Sequence, residues 1–157
     1  MITPPVSCII DASVLVKLVL VEPDSPKAHE LFAHLVGDPA ARFHAPDFCY
    51  LECANILWKR VKQGIFPVPV ARGHLTTLTG LPLQVIPLAS LVDDALSLAA
   101  THDITAYDAA YVAASARFSV PLITGDEKLR QKLIHTPFQI LLLSTVVIPV
   151  VPPPATP

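Results

Sequence analysis

The chain has 157 residues, which is enough for one domain with a substantial core and too few for two ordinary domains. Hydrophobic residues make up 52% and charged residues 15%, so the composition excludes an intrinsically disordered chain. The formal net charge of −2 argues at first against a nucleic-acid partner.

Cysteine usage and hydropathy predict a soluble, cytoplasmic protein. Cys8, Cys49 and Cys53 show no metal-ligand spacing, so we expect buried free thiols and no structural zinc. The chain opens without the basic start of a signal peptide. Its most apolar stretches, Cys8–Val21 and Ile140–Val151, are interrupted by charged residues or proline and are shorter than a membrane-spanning helix requires.

The hydropathy pattern of the first half predicts strands that alternate with helices. In chain order we expect a strand over Val6–Ile10, a helix over Ala12–Leu20, a turn over Pro23–Pro26, a helix over Lys27–Val36, a short strand over Phe43–Ala45 and a long helix over Phe48–Gln63. Asp47 is expected to cap the long helix and Gly64 to end it.

The second half continues the alternation. We expect helices over Val70–Leu78, Leu91–His102, Thr105–Phe118 and Asp126–Leu133, and strands over Leu83–Pro87, Pro121–Thr124 and Phe138–Leu143. Such an order predicts an α/β fold, a three-layer α/β/α sandwich around a parallel sheet. The domain is expected to span residues 1–149, and Val150–Pro157 to form a proline-rich, extended tail.

Four carboxylates occupy apolar settings. Asp11 follows an apolar strand, and Asp126 follows another, so both are expected at the carboxyl ends of parallel strands, where ligand sites of such sheets lie. Glu52 and Asp108 lie on helix faces whose neighbours are largely apolar. Buried carboxylates are rare unless they are paired or bind a cation. The pattern therefore predicts an acidic cation site.

Structural roles remain open for each acid on its own. Asp108 completes a capping-box pattern with Thr105, and Asp126 is placed to cap the helix that follows it. Asp11 is placed to accept backbone hydrogen bonds, whereas Glu52 has no obvious local role. Asp93 and Asp94 suit the first turn of their helix and are interpreted as structural.

Four motifs that contain these acids resemble the signature of PIN domains. The matching segments are Ile9–Lys17, Leu51–Leu57, Thr105–Ala114 and Leu122–Leu129, and the third is the most specific. The resemblance extends over about Val6–Leu143. It implies an endoribonuclease, most often the VapC-type toxin of a toxin–antitoxin pair, with a symmetric homodimer, an antitoxin partner and RNA as the substrate.

The resemblance also implies roles for particular residues. Asp11 and Asp108 would be the principal metal ligands, and Glu52 and Asp126 would complete the cluster directly or through water. Ser13 and Thr124 would hydrogen-bond the carboxylates, although Ser13 equally suits a helix start; Asn55 would line the site. A donor set of hard oxygens favours Mg²⁺ or Mn²⁺ over zinc.

Two other functions remain open: an RNA-processing PIN nuclease without an antitoxin, and a non-catalytic PIN scaffold. Setting the four acids aside leaves nine acidic residues against eleven basic ones, so net charge does not decide the question. Two groups of basic residues would either contact RNA phosphates or form solvated helix faces: Lys59, Arg60 and Lys62, and Lys128, Arg130 and Lys132.

Overall fold

The computed structural model of the protein describes residues 2, 3 and 6–151. Within them, five strands alternate with seven α-helices. The strands are β1 (Ser7–Ile10), β2 (Arg42–Pro46), β3 (Gln84–Ile86), β4 (Leu122–Thr124) and β5 (Ile140–Leu142). The helices are α1 (Ala12–Leu15), α2 (Ser25–Gly37), α3 (Cys49–Lys62), α4 (Val68–Thr79), α5 (Val92–His102), α6 (Ala106–Phe118) and α7 (Glu127–Leu133).

All neighbouring strands pair in parallel, in the order β3-β2-β1-β4-β5. The strand order reverses between the neighbouring strands β1 and β4, and we call this point the crossover. There, Ile10 is in register with Ile123. The helices cover this sheet, which confirms the predicted α/β sandwich with a central parallel sheet. The crevice of such a fold opens at the carboxyl ends of the two strands beside the crossover.

Most predicted elements are present with ends shifted by at most two residues. The first helix differs more: α1 ends at Leu15 and a 3₁₀ turn over Val16–Leu18 replaces the predicted continuation. Helices α2 and α4 begin before their predicted starts, because Pro26 and Pro69 lie in their first turns. The N–H groups of the first turn have no partner within the helix, so a proline, which lacks an N–H, costs no hydrogen bond there. These prolines therefore lie inside the helices and do not end the preceding segment as a separate turn.

The predicted cap of the long helix is wrong. Phe48 is the N-cap residue of α3, and no side-chain hydrogen bond caps this end. Asp47 contributes only its backbone, with its carbonyl accepting from the Tyr50 N–H. Gly64 lies just past the helix with φ of 73°, the left-handed conformation that favours glycine after a helix end.

The core is built on both faces of the sheet from strand residues such as Phe43, Ile9 and Ile123. Cys8, Cys49 and Cys53 are all buried and unbridged, as predicted. Burial raises the pKa of the Cys49 thiol to about 12, and the charges of Glu52, Asp11 and Asp47 add to this shift. These thiols therefore stay protonated at neutral pH and serve as small apolar core groups.

The last described residues lie against α2. The Ile2 N–H donates to the Val147 carbonyl, and the His34 imidazole Nε2 hydrogen-bonds the Pro149 carbonyl at 2.8 Å. Val150 and Val151 have no regular secondary structure, and residues 152–157 of the predicted tail lie outside the described residues. No helix in the described part of the chain is long and apolar enough to span a bilayer.

Candidate active site

Asp11 lies at the carboxyl end of β1 and caps α1. Its Oδ1 accepts hydrogen bonds from the Ser13 hydroxyl at 2.6 Å and from the Val14 N–H at 3.0 Å. Only 8% of the residue is exposed. Burial raises the pKa of the Asp11 carboxyl, and hydrogen bonds from Ser13, Thr124 and the backbone partly oppose that shift. The site therefore holds a desolvated carboxylate that favours a cationic partner.

Ser13 and Thr124 connect the ends of β1 and β4. The Ser13 hydroxyl donates to Asp11 and accepts from the Gly125 N–H at 2.8 Å. The buried Thr124 hydroxyl accepts from the Asp126 N–H at 2.9 Å. A Cβ atom added at Gly125 would meet the Ser13 Oγ at 3.0 Å, so the approach of the two loops favours glycine there. Both predicted supporting hydroxyls thus contact the segments that carry Asp11 and Asp126.

Glu52 projects from α3 and is half-buried. The Tyr111 hydroxyl of α6 donates to its Oε2 at 2.5 Å. Burial raises the pKa of the Glu52 carboxyl, the Tyr111 hydrogen bond opposes this, and the charges of Asp11 and Asp108 raise it further. Glu52 is therefore within reach of the charges of both aspartates. Tyr111 could not be predicted as a partner of Glu52 from the sequence, because no local spacing relates residues that are 59 positions apart.

Asp108 and Asp126 have the capping contacts that their local sequences suggested. The Thr105 hydroxyl accepts from the Asp108 N–H at 3.1 Å and donates to Asp108 Oδ2 at 2.7 Å. Asp126 Oδ1 accepts from the Lys128 and Leu129 N–H groups at 2.8 and 3.0 Å. Both acids also line one open cavity of about 460 Å³ beside α7, which we call the α7 cavity. Capping does not exclude a second role, because it uses one oxygen of each carboxylate.

The four carboxylates share one property that suits a cation, and three of them share a second. Within residues 2, 3 and 6–151, none forms a salt bridge with a basic side chain. The hydrogen bonds to Glu52, Asp108 and Asp126 described above each occupy a single oxygen, and no protein donor within that part of the chain bonds the other. The donors are all hard oxygens, so their chemistry fits Mg²⁺ or Mn²⁺.

The structure does not bring every predicted residue together. Among the described residues, no three His, Cys, Asp or Glu side chains are grouped closely enough to hold one metal ion as they stand. The charges of Asp11 and Asp108 both act on Glu52, and Asp108 and Asp126 share the α7 cavity. Asn55 is exposed on α3, one turn after Glu52. Asp108 is thus common to both sets of acids, and we call the four carboxylates together the acidic edge of the sheet.

The fold and this edge define a class of protein: a small α/β domain with carboxylates around the crossover of a parallel sheet. A family model described as "PIN domain" matches residues 8–132. The chain therefore belongs to the PIN-domain family. All four acids and both supporting hydroxyls lie within the matched residues.

The relatives agree with this assignment. The chain is 32% identical over 126 residues to Ribonuclease VapC3 of Pyrobaculum aerophilum. The aligned segment covers 79% of this chain and 92% of the relative. It is similar to the crystal structure of PAE2754 from the same organism, with a TM-score of 0.67, 25% identity and coverage of 89% and 85%. A toxin–antitoxin complex from Klebsiella pneumoniae shares the fold at 13% identity, with a TM-score of 0.58 and coverage of 87% and 97%.

Proposed function

We propose that the protein is a Mg²⁺- or Mn²⁺-dependent endoribonuclease and the toxin of a toxin–antitoxin pair. The observation that carries this proposal is the acidic edge itself. In a chain of the PIN-domain family, the charges of Asp11 and Asp108 act on Glu52, and Asp108 and Asp126 line one cavity. The 32% identity to a ribonuclease across 92% of that relative's length supports RNA as the substrate.

Asp11 and Asp108 are proposed as the principal ligands of the cation, with Glu52 and Asp126 completing its shell directly or through water. A divalent cation, when bound, lowers the pKa of water and neutralises charge on a phosphodiester. Ser13 and Tyr111 fix the orientation of Asp11 and Glu52 through hydrogen bonds of 2.6 and 2.5 Å. The second oxygen of Glu52 or Asp126 would then orient the attacking water.

Cleavage of total cellular RNA tests the enzymatic proposal. Wild-type protein should cleave with Mg²⁺ or Mn²⁺ and lose activity in EDTA. Asp11→Asn and Asp108→Asn should each abolish cleavage, because each removes a formal charge from the cation site. Asp93→Asn is the matched control: it makes the same chemical change on an exposed position of α5 and should retain activity. Full cleavage in EDTA, or by both site variants, would contradict the assignment.

A partner and a second copy of the chain are also proposed. Support for the antitoxin comes from the shared fold with a toxin–antitoxin complex. An apolar groove of about 180 Å³ between α3 and α4 is available for a partner segment, and its lining includes the exposed Trp58 and Val68. The exposed apolar side chains of Val92 and Leu96 on α5 support a symmetric homodimer. Light scattering that gives a monomer at micromolar concentration would refute the dimer.

The gene context separates this proposal from an RNA-processing nuclease without an antitoxin. A short reading frame directly upstream that encodes a small DNA-binding protein supports the toxin role. Co-expression of that protein should suppress RNA cleavage. Absence of such a frame, together with metal-dependent cleavage, would leave the nuclease and remove the toxin role.

A further inference from the structure

The α7 cavity combines both signs of charge. Asp108 and Asp126 line it together with Lys128 and Lys132 of α7, and its volume of about 460 Å³ lies in the range of small-ligand sites. A site for a cation alone needs no ammonium groups, which would repel it. The lysines therefore suit an anion that lies next to the acidic edge.

The structure distinguishes the two groups of basic residues. Arg60 pairs with Glu22, and the Lys62 ammonium lies over the Trp58 ring at 4.8 Å, so neither faces the acids. Arg130 lies 3.7 Å from Glu127 on its own helix. Among the described residues, the two basic side chains that share a cavity with the acids are those of Lys128 and Lys132.

The two lysines differ in how they are held. The Lys132 ammonium donates to the backbone carbonyl and the carboxylate of Asp103, so it already has an acidic partner. Lys128 is exposed, and within the described residues its ammonium has no acidic partner at salt-bridge distance. It is the second residue of α7, where the helix dipole disfavours a positive charge. Neither a local ion pair nor the stability of α7 explains why position 128 carries a lysine.

We propose that Lys128 binds a phosphate of the RNA strand next to the scissile phosphodiester, with Lys132 fixed behind it as part of the cavity wall. This inference rests on the proposed ribonuclease function. The acids and their cation would bind one phosphate, and the α7 cavity would hold its neighbour. Lys128 is thus a substrate-binding residue that sets the path of the strand across α7.

Binding of a fluorescein-labelled, single-stranded RNA oligonucleotide tests the proposal in the full chain. The Asp11→Asn background prevents cleavage during the titration. Adding Lys128→Gln should weaken binding roughly three- to tenfold at low salt. It should also reduce the slope of log K against log salt by about 0.7, the value for one lost phosphate contact on a single strand. Lys128→Arg should preserve both quantities.

Arg130→Gln is the matched control, because it removes one positive charge from the same helix at a residue that faces Glu127. It should leave the slope nearly unchanged. Equal slopes for Lys128→Gln and its parent, or equal losses for both glutamine variants, would overturn the subsite. Metal-dependent RNA cleavage by the wild type combined with either result would leave the ribonuclease function intact. No cleavage and no RNA binding by the wild type would instead refute the function itself.

Discussion

The Tyr111 hydroxyl donates to Glu52 Oε2 at 2.5 Å, across the contact between α6 and α3. Tyr111 is 4% exposed and its ring lies 5.1 Å from that of Phe48, so the donor has little freedom to move. The arrangement fixes one carboxylate oxygen and leaves the other available to a cation. Outer groups of this kind orient metal ligands and tune their affinity.

Tyr111→Phe should therefore weaken Mn²⁺ binding roughly ten- to a hundredfold. The physical reason is that Glu52 loses the donor that holds its side chain in one orientation. Isothermal titration calorimetry with Mn²⁺ measures the affinity without relying on activity. Tyr107→Phe is the control, because Tyr107 lies on the same helix beside Phe48 but is 66% exposed. Equal Mn²⁺ affinity in both variants would show that Tyr111 has only a packing role.

Asp11→Asn should stabilise the metal-free protein at neutral pH. Burial raises the folded-state pKa of Asp11 above its unfolded value of about 4, so the folded state binds more protons than the unfolded chain between these values. The free energy of unfolding of wild type therefore falls as pH rises through the raised pKa. Asparagine removes this effect and retains an oxygen that can cap α1.

Thermal melts in EDTA as a function of pH test this difference. At pH 7.5 the variant should melt roughly 3 °C above wild type, and the gap should close as pH approaches about 4. Added Mg²⁺ should raise the melting temperature of the wild type more than that of the variant. A variant that melts below wild type at every pH in EDTA would show that the Asp11 charge stabilises the fold without metal.

Two substitutions of Asp126 separate its helix-capping role from its proposed role in cation binding. Asp126→Ala removes the acceptor of the Lys128 and Leu129 N–H groups and should destabilise the protein by about 1 kcal/mol. Asp126→Asn keeps an acceptor, so its melting temperature should stay close to that of wild type while RNA cleavage falls sharply. Wild-type cleavage rates for Asp126→Asn would assign the residue to capping alone.

Two truncations test the boundary of the domain. A chain ending at Pro149 keeps the carbonyl that binds His34, so its melting temperature and activity should stay near those of the full chain. A chain ending at Val146 loses the partners of the Ile2 N–H and of His34 and should melt several degrees lower. A large loss of stability already at Pro149 would show that residues 150–157 contribute to the fold.

The sequence predicted the parallel sheet and the strand-end acids well, because both follow from local pattern. Apolar runs mark β1 and β4, and Asp11 and Asp126 follow them directly or after one glycine. Contacts between segments that are distant in the sequence could not be predicted in this way. The Glu52–Tyr111 bond joins α3 to α6. The pairing of Lys132 with Asp103 leaves Lys128 as the cation of the α7 cavity that has no acidic partner among the described residues. Charge and spacing alone did not distinguish these partners from solvated residues.

The hydroxyl of Ser13 bridges the loops after β1 and β4, and Gly125 lies so close to it that an added Cβ atom would meet the Ser13 Oγ at 3.0 Å. The separation between two acid-bearing segments is thus set by a neutral residue that ligates nothing. Selectivity among divalent ions depends on cavity size and rigidity as well as on ligand type. An engineer who wished to convert the proposed Mg²⁺ site into one for the larger Ca²⁺ would therefore begin at Ser13 and Gly125 and leave every carboxylate in place.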